Sequence, residues 1–360
     1  MNELKIVRSH ALGLFRRRLA HPIKDLNTLV VGLAPIRAGT LTQTPPGLSV
    51  RWEVGDAVRT TDQARGSAIS ALMINACDTL DQYLAALGTN PSPIKDGRIK
   101  AFLRRESRSP TVPPAVPTPS QLQKLIEQLA SDPISARTVF KGFADRHYGK
   151  TVKATLRGRF AEICDAISQF SPNSAAPACP KASYVAAVHL LVCWRNRQVH
   201  EESFDTFDAV HRESLVADAA NLKNDHADID ILKTLTHYDG RTPPTLKDVS
   251  TLVSILLRTV QAIDEVLIYH ADLNDLLRQV TWIKVRRLPM KDRKTFIERL
   301  TAASLTGRVD RLKPLWDGAG FTPTSFEDKK GAFAARVLNL STTFLETDKT
   351  MEFLNNEDYL

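Results

Sequence analysis

The stretch that most constrains the fold of this chain is residues 184–199, YVAAVHLLVCWRNRQV. Tyr184, Val188, Leu191, Val192, Arg195 and Val199 recur at three- and four-residue intervals, which predicts a helix with one buried face. Two further stretches carry the same period. Residues 67–87 present Ile69, Leu72, Met73, Ala76, Leu80, Tyr83, Leu84 and Leu87 on one face, and the run stops at Gly88 ahead of Pro91 and Pro93. Residues 246–267, LKDVSTLVSILLRTVQAIDEVL, read as the strongest core helix after 184–199. The expected fold class is mainly α.

The first of these helices ends in Arg195-Asn196-Arg197-Gln198-Val199-His200, three residue types suited to breaking a phosphodiester. An imidazole with an ordinary pKa of about 6.5 takes a proton from a ribose 2′-hydroxyl, or gives one to the leaving 5′-oxygen, near neutral pH. A guanidinium holds phosphate oxygens with a fixed fork of donors and stays charged as negative charge builds. In an unbroken helix Arg195 and His200 lie about 140° apart, from roughly 100° per residue. Their cooperation therefore requires an irregular turn between them or a second copy of the chain facing the first. Arg197 and His200, three residues apart, share a face. Without further context, Arg and His in a last helical turn are also read as partners of the dipole and the free carbonyls.

Arg195-Asn196-x-x-x-His200 behind an apolar helix resembles the motif of the HEPN superfamily: an Arg, then a polar residue, often Asn, with a His four to six residues beyond the Arg. The resemblance implies a small helical bundle, usually a homodimer, whose two motif copies meet in one composite cleft. It also implies a metal-independent endoribonuclease without cofactor, of the kind found in antiphage-defence, abortive-infection and toxin–antitoxin systems. Carried over, Arg195 and His200 are catalytic and Asn196 supports them, with Arg197 as a candidate RNA-binding side chain. The implied partners are RNA, a second copy of the chain, and an antitoxin or phage-derived trigger protein. Two other readings stay open: a non-catalytic HEPN-like protein binding a nucleotide or partner, and a DNA-binding regulator using basic C-terminal helices.

Charge distribution qualifies where RNA is held. The whole chain carries +8, and residues 137–159 hold seven Lys/Arg against Asp145 alone. Residues 284–299 hold seven against Asp292 and Glu298. Residues 201–230 reverse this, with nine carboxylates against Arg212 and Lys223. The motif thus heads an acidic segment, and RNA drawn to it has to be held by basic segments from elsewhere in the fold or from a second chain. Glu162 and Asp165, on the preceding helix, read as exposed carboxylates. The charges of residues 95–105, including Arg105, read as a solvated face.

Cys77, Cys164, Cys179 and Cys193 form no C-x-x-C pair and read as small core residues in a reducing compartment. Residues 1–26 interrupt their apolar positions with Arg16, Arg17 and Arg18, so they lack the core of a secretory signal, and no run of eighteen apolar residues is present. The expectation is a cytoplasmic protein without membrane span. Phosphate-binding and dinucleotide-binding glycine loops and H-E-x-x-H are missing, which removes nucleotide hydrolysis, dinucleotide chemistry and zinc proteolysis as leading ideas, and no metal site is expected.

Residues 107–120, with five prolines, read as a linker. The expected organisation is an N-terminal helical region (1–106) that includes an arm and a short strand at 48–54, the linker, a HEPN-like helical domain (121–275), and a basic helical C-terminal region (276–360). Helices are expected at 4–19, 95–105, 120–130, 135–147 and 152–170, and across 201–222.

Overall fold

A computed structural model describes residues 9–47, 55–106, 155–170, 177–199, 206–226 and 230–271, with scattered positions between 276 and 311. Nine α-helices and no strand occur among these residues. The expected strand at 48–54, the linker, the helices at 120–130 and 135–147, and most of the C-terminal region lie outside the described residues, as does His200.

Helices α1 (His10–Arg37) and α2 (Ala57–Leu87) form an antiparallel hairpin. The Phe15 and Tyr83 rings meet edge to face at 5.7 Å near one end, and Arg37 pairs with Asp62 at 2.6 Å near the other. Both helices outrun their expected limits. Helix α1 continues through Pro22 and Pro35 to Arg37, because packing on α2 outweighs two lost N–H donors. Helix α2 begins three turns before the apolar run, where the Asp56 carboxylate caps it by accepting from the Arg59 N–H at 2.9 Å. The polar start of α2 has no apolar period to announce it.

Gly88 closes α2 against the short α3 (Gly97–Leu103). A Cβ at Gly88 would stand 2.6 Å from the Lys100 carbonyl oxygen, so only glycine permits this approach. Helices α4 (Leu156–Ser168) and α5 (Ala182–Val199) run antiparallel. Arg157 and Asn196 line one cleft at one end, and the Cys179 thiol lies 3.7 Å from the Ile167 carbonyl at the other. The single helix expected over 201–222 divides at Asp218 into α6 (Ala209–Ala217) and α7 (Ala219–Asp225). The Asp218 carboxylate there accepts from the Ser183 hydroxyl and the Asn221 amide, both at 2.5 Å. Helix α8 (Ile231–Asp239) and the long α9 (Leu246–His270) follow. A reciprocal Thr245–Asp248 capping box starts α9.

One hydrophobic core draws on all of this. Leu12, Phe15 and Leu19 of α1, Leu80 and Leu84 of α2, Phe160 of α4, Val188 and Leu191 of α5, and Leu252 and Leu256 of α9 belong to a single buried cluster. Helix α1 thus contributes to the core, and helices on both sides of residues 107–120 share it. Helix α5 is its centre, buried at nearly every position from Ser183 to Trp194.

The start of α1 is tied to α9 through a buried carboxyl. The Ser9 N–H donates to Asp264 Oδ2 at 2.8 Å and the Ser9 hydroxyl donates to Oδ1, while that hydroxyl also accepts from Leu12 N–H at 3.1 Å. Burial pushes the Asp264 carboxyl up to about 6 from 3.8, against the pull of the Ser9 hydrogen bonds. The folded state therefore holds this proton more tightly than the unfolded chain. The resulting stability is complete below pH 3.8 and is lost as pH rises through about 6. Asp264→Asn, neutral throughout, is expected to gain on the wild type by about 1 kcal/mol between pH 5 and pH 7.5 in chemical denaturation. A wild-type-to-variant gap that stays constant over that range would refute a raised carboxyl.

Candidate active site

Burial along α5 is complete from Ala186 through Trp194 and relaxes from Arg195 onward. The Arg195 side chain is 26% exposed, enough for a ligand to reach. Its Nη1 donates to Asn196 Oδ1 at 3.2 Å and its Nη2 meets Asp78 Oδ1 of α2 at 3.5 Å. Asn196 therefore orients the arginine, and Asp78, itself more than half exposed, is a loose counter-ion that an anion can replace.

These groups stand in a cleft of about 490 Å³. Helix α2 supplies Asp78 and Asp81, the turn after α3 supplies Arg105, the first turn of α4 supplies Arg157, and α5 supplies Val192, Arg195 and Asn196. Three guanidinium groups thus face two carboxylates, and Asp81 is already committed. It pairs with Arg105 Nη2 at 2.5 Å and with the buried Arg159, whose Nη1 donates to the Leu103 carbonyl at 2.7 Å. Burial lowers the Arg159 pKa to about 10, so it stays charged near neutrality. The cleft is left with a positive balance. Of the basic residues expected over 137–159, Arg157 lines this cleft and Arg159 lies behind it, paired with Asp81.

Helix α5 is unbroken through Val199, so no irregular turn falls between Arg195 and Val199. His200 follows as the next residue of the chain, outside the described residues.

Arg197 points to a different wall. Its Nη1 donates to the Tyr238 carbonyl at 2.8 Å, and its guanidinium carbon lies 3.6 Å above the Tyr238 ring. It locks α5 to α8 beside a smaller cavity of about 200 Å³ that Trp194 and Arg241 also line. Arg195 and Arg197 thus do not share the cleft.

Glu162, expected to be exposed, is buried, because α4 turns that face toward α9. It lines a separate cavity of about 480 Å³ together with Arg98, Phe170 and His270, while Asp165 is exposed. His189 of α5 and His211 of α6, which no sequence pattern marks, lie with their rings 4.2 Å apart. Burial, aided by the charges of His211 and Arg157 and opposed by Asp208, pushes His189 down to about 3. It is therefore a neutral packing group near pH 7. Burial likewise pushes the Cys77 thiol up to about 12 despite the nearby Arg195 charge, which makes it a poor nucleophile. Among the described residues no three His, Cys, Asp or Glu side chains are grouped to hold a metal ion, and no helix is long and apolar enough to cross a membrane.

Arg105, Arg157, Asp78 and Asp81 complete the site and were not singled out from sequence. The signal for Arg157 was the basic run at 137–159; the others carried none. Comparison with protein-family models, with characterised proteins and with solved structures finds no match to this chain.

Proposed function

We infer that this protein is a metal-independent endoribonuclease of HEPN type that cleaves RNA by attack of a ribose 2′-oxygen. The observation that carries this reading is the open, net-positive cleft that gathers Arg195 and Asn196 with Arg105 and Arg157, Arg195 standing five residues before His200 in the sequence. In the reaction His200 removes the 2′-hydroxyl proton or supplies the proton that the leaving 5′-oxygen needs. The 2′-oxygen forms a bond to phosphorus as the P–O5′ bond breaks. The products are a 2′,3′-cyclic phosphate and a 5′-hydroxyl. Arg195 stabilises the charge on the non-bridging oxygens, and Asn196 holds its guanidinium in place.

A homodimer with a composite site fits the helix geometry. Helix α5 is continuous through Val199, and an ideal helix carried one residue further would set positions 195 and 200 about 140° apart at roughly 100° per residue. A facing copy brings the Arg of one chain to the His of the other. Antiphage defence or toxin–antitoxin pairing, with an antitoxin or phage-derived trigger as partner, rests on the motif resemblance alone, as does cytoplasmic residence.

The test is incubation of the purified chain with single-stranded RNA in excess EDTA, followed by analysis of the product ends. Cleavage leaving 2′,3′-cyclic phosphate and 5′-hydroxyl termini is expected. Failure to cut any RNA together with failure to bind it would end this reading.

A further inference from the structure

Two non-glycine residues among those described have a left-handed backbone, Arg105 (φ 66) and Arg241 (φ 54), and both are arginines. Each follows the C-cap of a helix. At Arg105 the reciprocal bonds are Glu106 N–H to the Ala101 carbonyl at 2.8 Å and Arg105 N–H to the Phe102 carbonyl at 2.9 Å. That pattern strongly favours glycine at the position Arg105 occupies, because a Cβ there is strained. The Arg105 side chain is 57% exposed and reaches into the Arg195 cleft. Arg157 also stands where local rules disfavour it. It is in the first turn of α4, after the Thr155 cap, where the helix dipole repels a cation. It lines the same cleft. Two arginines in locally unfavourable positions on separate elements thus converge on a third, and with Arg159 behind them they outnumber the cleft carboxylates Asp78 and Asp81, a balance that a polyanion complements.

We propose that Arg105 and Arg157 bind the phosphates on either side of the scissile phosphodiester of single-stranded RNA, an assignment that rests on the ribonuclease reading. The ion pair of Arg105 with Asp81 holds its side chain along the α2 wall, and Arg157 enters from the α4 side. The strand runs between them past Arg195. Both residues position substrate and neither takes part in bond making.

The test uses the full chain carrying His200→Ala, which binds without cutting, titrated with labelled single-stranded RNA in EDTA over a salt series. Arg105→Gly and Arg157→Gln are each expected to weaken binding about tenfold at low salt and to reduce the slope of log K against log salt by about 0.7. Arg105→Gly is expected to keep or raise the melting temperature, since glycine adopts φ 66 without strain. Arg105→Asn, which also tolerates that backbone, serves if the glycine variant is poorly folded, and Arg105→Lys retains the slope. Arg241→Gly removes the same charge from the same backbone conformation on the other face of α5, and is expected to leave binding within about twofold. Unchanged affinity and slope in the folded Arg105 and Arg157 variants, or an equal loss in Arg241→Gly, would overturn the assignment while leaving the ribonuclease reading intact. A chain that binds no RNA at any salt would overturn both.

Discussion

Mixing Arg195→Ala protein with His200→Ala protein is expected to restore RNA cleavage that neither variant has alone. Each single variant should lose about 10²- to 10⁴-fold in rate, the range for removing a general acid–base or an oxyanion-stabilising donor. The Arg195 variant should also keep its stability. Its side chain is partly exposed, and it leaves behind only an exposed Asp78 and an amide that water can satisfy. Recovery on mixing follows from the unbroken last turn of α5. In a two-fold dimer half the assemblies are mixed, and each mixed dimer keeps one intact Arg–His pair of two, so roughly a quarter of the wild-type rate returns. Cleavage assays after subunit exchange, with exchange shown by a tagged partner, supply the measurement. No recovery among exchanged dimers would place Arg195 and His200 of one chain in the same catalytic unit and require a break beyond Val199. Undiminished cleavage by either single variant would remove that residue from the chemistry.

Arg159→Met should be the most damaging single substitution near the cleft for stability, lowering the unfolding free energy by about 3 kcal/mol or more. Arg159 is fully buried, and its guanidinium answers both the Asp81 carboxylate and the Leu103 carbonyl. Methionine fills much of the volume but leaves that carbonyl unpaired and strips Asp81 of its deepest partner. Arg105 on the rim still pairs with Asp81, but in a wet and weaker setting. Asp81→Leu alone should also destabilise, because it leaves a buried cation without a counter-charge. The double variant should cost less than the sum of the two singles, since each removes the charge the other strands. Urea denaturation of the four proteins decides this. Strict additivity would mean that Asp81 and Arg159 do not act as a unit.

The parts of the fold that hydrophobic periodicity can mark were legible in the sequence. Val188, Leu191 and Val192 announced α5; Leu252, Leu256 and Val260 announced α9; and Leu72 through Leu87 announced the second half of α2. The first turns of α2 and the last turns of α1 were not, because AVRTTDQARG carries no apolar stripe and Pro22 and Pro35 argue locally against helix. Those turns are held by each other, through pairs such as Arg37 and Asp62, and a single-sequence reading has no access to such pairs. Arg195 and Asn196 stood out through their spacing, whereas Asp78, Asp81 and Arg105 come from elements that only tertiary packing brings to them. Arg105 looked like one more solvated cation. Its left-handed backbone, invisible in the sequence, is what sets it apart.

The depth at which α5 is buried divides a mutational scan of this chain into two regimes. From Ser183 to Trp194 a substitution meets the core on almost every side, so it should register as lost protein abundance in cells before any effect on RNA can be seen. From Arg195 onward burial relaxes, and loss at Arg195 or Asn196 should register as activity per molecule, while Arg197, which locks α5 to Tyr238 of α8, should still register as stability. The first change from one signal to the other is expected at a single peptide bond, Trp194–Arg195, with Arg197 returning to the structural side.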